Sequence, residues 1–243
     1  MNAMTYTSSL RDTLGIKKET IALKRMKDEP STIEDYEGRN TLCFMMQEAL
    51  EGNKVFYTTL RNRMCLFCTA TGMALTPYDE LSNEKLKENL SFAVEAINTF
   101  QDVETAFAAE KEAAAIFPKF EELCSAVVVG PTEKVPDPDV VIISLNPDQA
   151  NLLTRAYCYV TGTFIKGYAG IGACRMIFPD AFIHKEPTFT VSDRSWRIAL
   201  KLAPDELTLV TPPDKLMMML ENLERSKVGG PTPEAFETMP ILR

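Results

Sequence analysis

Six cysteines, at positions 43, 65, 68, 124, 158 and 174, stand against a single histidine, His184. A thiolate is both a nucleophile and a soft metal ligand, so sulfur chemistry is the chemistry this chain is best supplied for. Sites needing two histidines on one chain are excluded, and a Ser-His-Asp triad would hang on His184 alone. Cys65 and Cys68 form a C-x-x-C pair (CLFC), a spacing that lets two sulfurs share a metal or close a redox disulfide. A structural zinc needs two further ligands, and no second C-x-x-C exists. Cys43 and Cys174 are the candidates, which makes a four-thiolate zinc site or an iron–sulfur cluster arithmetically available. The competing reading makes Cys65 and Cys68 small buried apolar residues at a helix start. Cys124 and Cys158 sit on apolar strand and helix faces and read as core. A thioredoxin-type site lacks its context, because no βαβ pattern with a cis-proline signature surrounds CLFC.

Other groups could act on an anion. GYAGIGACR (167–175) spaces Gly167, Gly170 and Gly172 as G-x-x-G-x-G. It lacks the lysine of a phosphate loop and the glycine order of a dinucleotide fingerprint, so the broader reading is a turn that lets backbone approach a ligand or thiol. Arg197, in the cluster Asp193, Arg194, Trp196 and Arg197, could hold a carboxylate, phosphate or thiolate, or could make a structural ion pair. His184 reads as a surface loop residue. Two stretches echo each other: 55–75 (VFYTTLRNRMCLFCTATGMAL) and 163–182 (TFIKGYAGIGACRMIFPDAF). Each has an aromatic strand-like start, a loop, and then a cysteine opening a helix-compatible run, where the helix dipole would favour the thiolate. Two such units could meet as pseudo-symmetric halves of one site.

These residues must be positioned by an α/β scaffold (or α+β). Residues 21–27, Val55–Leu60, Ser125–Val129, Val140–Leu145 and Leu207–Val210 are strand-like, and Ser125–Val129 and Val140–Leu145 are apolar enough for burial on both faces. The spacing predicts one helix from a Ser82 cap through Leu86, Leu90, Ala93, Val94 and Ile97, and a second through Ala106, Phe107, Ala113, Ala114 and Phe117 up to Pro118. Together they read as a pair covering a sheet. Asn146-Pro147-Asp148 starts another helix, which would bury Ala150, Leu153, Ala156, Tyr157 and Val160. Thr211 as cap and Pro212 at the first helical position open the last one, with Leu216, Met219, Leu220 and Leu223 in one stripe. The expected architecture is a single compact domain over 1–227, a mixed β-sheet covered by helices, followed by a Gly/Pro-rich tail over 228–243.

Composition narrows the partners. The 243 residues carry 26 basic and 34 acidic side chains, a net charge of −8, which disfavours an electrostatic grip on nucleic acid or an anionic membrane. At this length about 70–75% of the unfolded surface can be buried, so no disulfide or metal staple is needed. No apolar run approaches a membrane span, and the N-terminus has no signal-peptide pattern. Reduced thiols and a cytoplasmic location are expected. The partner would be a small molecule or a redox protein, and a homo-oligomer is open.

The order LGIKKETIALKRMK, Cys43, the Cys65 segment ending in TGMAL, DVVIISLNPDQANLLTRAYCYVTG, GACRMIFPDAF and DELTLVTPPDKL resembles domain of unknown function 169, an uncharacterised family of anaerobic archaea and bacteria. The resemblance covers nearly the whole chain. It implies cysteines at the positions of Cys43, Cys65 and Cys174, with a fourth shortly before the arginine that matches Arg197. Here that stretch reads TVSDRSWR, and Asp193 stands roughly where the fourth cysteine would be. The leading expectation is therefore a thiol-centred protein of anaerobic metabolism. It would hold an iron–sulfur cluster, zinc or another redox centre through Cys43, Cys65, Cys68 and Cys174, with Asp193 as alternative ligand and Arg197 stabilising negative charge. The alternative is a small-molecule enzyme with Cys65 as nucleophile or acid/base and an anion seat formed by Arg197 with Gly167, Gly170 and Gly172.

Overall fold

The computed structural model describes residues 4–38, 41–62, 65, 71–77, 83–116, 119–170 and 174–227. Their order is α1 (Met4–Leu14), β1 (Ile21–Met26), β2 (Glu34–Asp35), α2 (Leu42–Glu51), β3 (Phe56–Thr58), α3 (Asn83–Ile97), α4 (Val103–Ile116) and β4 (Ala126–Pro131). There follow β5 (Val140–Leu145), α5 (Pro147–Thr161), β6 (Lys166–Tyr168), α6 (Cys174–His184), β7 (Thr188–Thr190), α7 (Arg194–Ala199), β8 (Leu207–Thr211) and α8 (Pro213–Lys227). The strands make one mixed sheet of eight, in the order β2-β3-β4-β1-β5-β8-β7-β6.

That order is two equivalent halves joined at a seam. In the first half β2 runs parallel to β3, and β3–β4 and β4–β1 are antiparallel. In the second, β6 runs parallel to β7, and β7–β8 and β8–β5 are antiparallel. The two central strands β1 and β5 pair antiparallel, with Ile21 opposite Ile142. The topology therefore equates β1 with β5, β2 with β6, β3 with β7 and β4 with β8. It also equates α2, which lies between β2 and β3, with α6, which lies between β6 and β7. The expectation of two halves is met, but not with the sequence echo that suggested it. The echo matched β3 to β6, whereas the strand order matches β3 to β7.

Alternating side chains divide the core between the two faces of the sheet. Ile21, Leu23, Val127, Val129, Val140, Ile142 and Val210 point to the face covered by α2, α6 and α7. Val141, Ile143, Leu145 and Leu209 point to the other, covered by α1, α5 and α8. The central strands are apolar on both faces for this reason, and β4 is buried throughout. The Asn146 start folds as expected. Its side chain accepts from the Gln149 N–H and Gln149 Oε1 accepts from the Asn146 N–H, both at 2.9 Å, a reciprocal capping box. Gln149 Nε2 also donates to Leu14 O at 2.9 Å, which ties α5 to α1.

Three expectations are corrected. Thr211 is the last residue of β8 and not a cap; the helix starts at Pro213. Val160 is exposed, while Ala150, Leu153, Ala156 and Tyr157 are buried as expected. The α3–α4 pair does not cover the sheet. Leu86, Leu90 and Ala106 form a separate cluster with Val94, Phe100, Val103 and Phe107, because both helices turn their apolar sides to each other. Ser82, Phe117, Pro118 and the 228–243 tail lie outside the described residues.

Candidate functional site

Local sequence places each thiol before tertiary packing brings the thiols together. Thr41 caps α2, its Oγ1 accepting from the Phe44 N–H at 3.2 Å. Cys43 is thereby the second residue of the helix, on the side that carries Leu42, Met45, Met46 and Ala49 into the core. Cys174 is the first residue of α6 and is 2% exposed. Asp193 caps α7, accepting from the Trp196 N–H at 2.9 Å. Cys65 follows β3, is half-buried, and packs against the same apolar cluster that contains Cys43 and Cys174.

The Cys43 environment is electrostatically unusual. Burial, then Asp193, then Cys65 all push its thiol pKa far above the ordinary thiol value, and its own backbone hydrogen bond only partly opposes them. A thiol near a helix start gains from the dipole, but here loss of water and two acidic neighbours win. The neutral thiol is the stable form of Cys43 unless something positive enters. Asp193 and Cys65, from two other parts of the chain, are therefore each within electrostatic reach of Cys43. In the two-half topology Cys43 and Cys174 occupy equivalent helices. Cys65 and Asp193 occupy the equivalent segments leaving β3 and β7. The four positions thus form two symmetry-related pairs.

The remaining candidates are distributed differently. Cys174 is a half-cystine, so the expectation that every thiol is reduced does not hold at this position; Cys43, Cys65, Cys124 and Cys158 are not disulfide-bonded. Cys68 and Gly172 lie outside the described residues. Among the described residues, no group of three or more His, Cys, Asp and Glu side chains is placed to hold a metal ion.

Arg197 does not face the thiols with a free guanidinium. Nη1 donates to Val191 O at 2.9 Å and Glu206 O at 2.8 Å, and Nη2 donates to the carbonyls of Ala203 and Pro204. It staples the chain entering α7 to the chain leaving it. Gly167 lies in β6, where a Cβ would come within 3.3 Å of Phe189 O, so close strand packing accounts for it. Gly170 has φ +134° and open space around it, a backbone conformation that glycine alone adopts freely. The anion seat expected from Arg197 and these glycines is not assembled among the described residues. His184, at the end of α6, pairs through Nδ1 with the buried Asp180 at 2.5 Å, and Thr188 Oγ1 donates to the other carboxylate oxygen at 2.9 Å. Sequence reading placed His184 in a surface loop and missed its Asp180 partner. The i, i+4 spacing of the two on a helix was the available signal. Cys124 is core as expected: it is buried, and its Sγ lies 3.1 Å from Met73 O. Cys158 is half-buried on α5. Among the described residues, no helix is long and apolar enough to cross a membrane.

A family model for DUF169, described as uncharacterised ArCR, matches residues 9–222. An uncharacterized protein of Methanocaldococcus jannaschii is 28% identical over 222 residues, spanning 88% of this chain and 91% of the relative. No solved structure matches the chain. The chain belongs to the DUF169 family.

Proposed function

For this DUF169 member, we propose a cytoplasmic thiol-centred activity in anaerobic metabolism, in which Cys43 and Cys65 form the core of a redox-responsive metal or iron–sulfur site. Cys174, Cys68 and Asp193 are the further donors. The observation that carries this reading is the state of Cys43: a desolvated thiol whose acidic neighbours, Asp193 and Cys65, come from two other elements. Such a group resists ionising alone but is well matched to a soft cation, which would compensate all three negative charges together. Cys174 adds a redox condition. It can join as a ligand only after its disulfide is reduced to two thiols, either by a dithiol that gives two electrons and two protons and becomes a disulfide, or by a phosphine that gives two electrons and takes the oxygen of a water whose two protons go to the sulfurs. Thiol reduction would therefore precede metal loading, as suits a protein of reducing compartments.

The test is purification without oxygen in a phosphine reductant, followed by iron, zinc and acid-labile sulfide analysis per chain. Stoichiometric metal is expected, lost on oxidation and lost in Cys43→Ser and Cys65→Ser. Metal far below stoichiometric in the reduced wild type, or unchanged in both variants, would sink the proposal. The enzyme alternative is less supported, since the guanidinium it needs is held by four carbonyls.

A further inference from the structure

A second feature lies at the seam of the two halves, on the α2–α7 face but at the other end of these helices from the thiols. A cavity of about 290 Å³ opens there, close to the lower end of the roughly 300–1,000 Å³ typical of small-molecule sites. Its floor is apolar: the cross-strand pair Ile21 and Ile142, with Leu50 from α2 and Leu200 following α7. Its mouth carries both signs of charge, Lys18 and Lys201 with Glu19 and Glu51. Lys201 Nζ donates to Glu51 Oε1 at 2.7 Å, and Gln47 Nε2 donates to the same oxygen at 3.0 Å. Lys18 Nζ reaches Lys201 O at 2.8 Å and also pairs with the Glu206 carboxylate. Lys201 has φ +49°, in the left-handed region where glycine or asparagine sits more easily. A lysine there costs backbone energy, and its side chain spans the mouth.

We infer that this cavity binds a small zwitterion with an apolar body, of the aliphatic amino-acid class. The apolar floor takes the side chain, the lysines take the carboxylate, and Glu19 and Glu51 take the ammonium. A purely anionic or purely cationic ligand would leave one sign at the mouth facing its like. The exposed Lys201–Glu51 pair is weakly held, so a ligand carrying both charges can exchange into it without a net loss of ion pairs. This inference does not depend on the thiol centre.

The experiment is calorimetric titration of the full chain with L-leucine, with 4-methylpentanoate (no ammonium) and with 3-methylbutylamine (no carboxylate). Leucine is expected to bind saturably at one site per chain, with each analogue at least about tenfold weaker. Lys201→Asn keeps a residue tolerant of positive φ and should weaken leucine about tenfold while circular dichroism stays unchanged. Absence of saturable binding by leucine would overturn the inference. So would equal binding of either analogue, or a Lys201→Asn variant that binds leucine as the wild type does.

Discussion

The two halves of the sheet share a strand order and differ in what covers them. On the face of α2, α6 and α7 both contribute to one core, in which Met45 and Met46 of the first half join Phe178 and Trp196 of the second. On the opposite face the second half has α5 and α8, which pack on each other, and the first half adds only the shorter α1 beside α8. The first half has there a small cluster of Ala22, Val128 and Val135, with Met26, Ile33, Val55 and Tyr57 partly buried. In place of α7 it inserts the longer α3–α4 pair, which keeps its own apolar cluster. The difference is instructive because the candidate site lies wholly on the shared face. Cys43 and Cys174 lie on α2 and α6, which the halves hold in common, whereas Asp193 caps α7, for which the first half has α3–α4 instead.

The largest test of this contrast sets α7 against α3–α4. Trp196 is 1% exposed and stacks on Phe178 with ring centroids 5.4 Å apart. Trp196→Ala should cost about 3–5 kcal/mol of global stability and lower the denaturant midpoint for every probe. Leu90→Ala, in the separate cluster, should cost about 2 kcal/mol and raise amide exchange in α3 and α4 before the sheet. If both variants loosen the sheet equally, α3–α4 belongs to the common core and the contrast fails.

Arg197 gives the next effect. Arg197→Met removes hydrogen bonds to four backbone carbonyls and should destabilise the chain by about 2 kcal/mol. As a staple of α7 its loss should act through stability, and under the proposed metal-site reading the folded fraction should hold metal as the wild type does. Folded Arg197→Met that no longer holds metal would restore the charge-stabilising role expected from sequence.

Much of this was legible in the sequence wherever a local rule decided. Val140–Leu145 and the Asn146-Pro147 helix start follow from side-chain pattern and capping chemistry, and they fold as read. Cys174 reads from sequence as the opening of a helix, and it is the first residue of α6; the ligand roles of Cys43, Cys65, Cys68 and Cys174 belong to the proposal. Pairing was not legible. Matching VFYTTL to TFIKGY rested on composition, but which strand is equivalent to which is fixed by hydrogen-bonding order in a sheet assembled from distant segments. The orientation of Arg197 was equally hidden. A guanidinium beside an acidic cap can turn to an anion or to carbonyls, and the loop at Ala203–Glu206 that receives it is visible only in the fold.

The finest distinction between the halves is chemical: where the first half offers the Cys65 thiol, the second offers the Asp193 carboxylate. That carboxylate should be felt at Cys43 as a dependence of stability on pH. The folded Cys43 thiol holds its proton more tightly than the ordinary value of 9.0. Its contribution to stability is therefore fully present below about pH 9 and is lost as pH rises from there toward the folded value. The loss should approach about 1.4 kcal/mol per pH unit. Urea midpoints measured in the reduced, metal-free protein across this alkaline range should fall less steeply in Cys43→Ala than in the wild type. Some alkaline slope should persist in that variant, because burial raises the Cys124 thiol as well. Asp193→Asn is the finer probe. Asparagine caps a helix about as well as aspartate, so α7 stays formed while one of the charges opposing Cys43 ionisation disappears. Thiolate absorbance should then rise at lower pH than in the wild type. An alkaline slope unchanged by Cys43→Ala, or a thiolate titration unmoved by Asp193→Asn, would mean that the two halves do not meet electrostatically at Cys43.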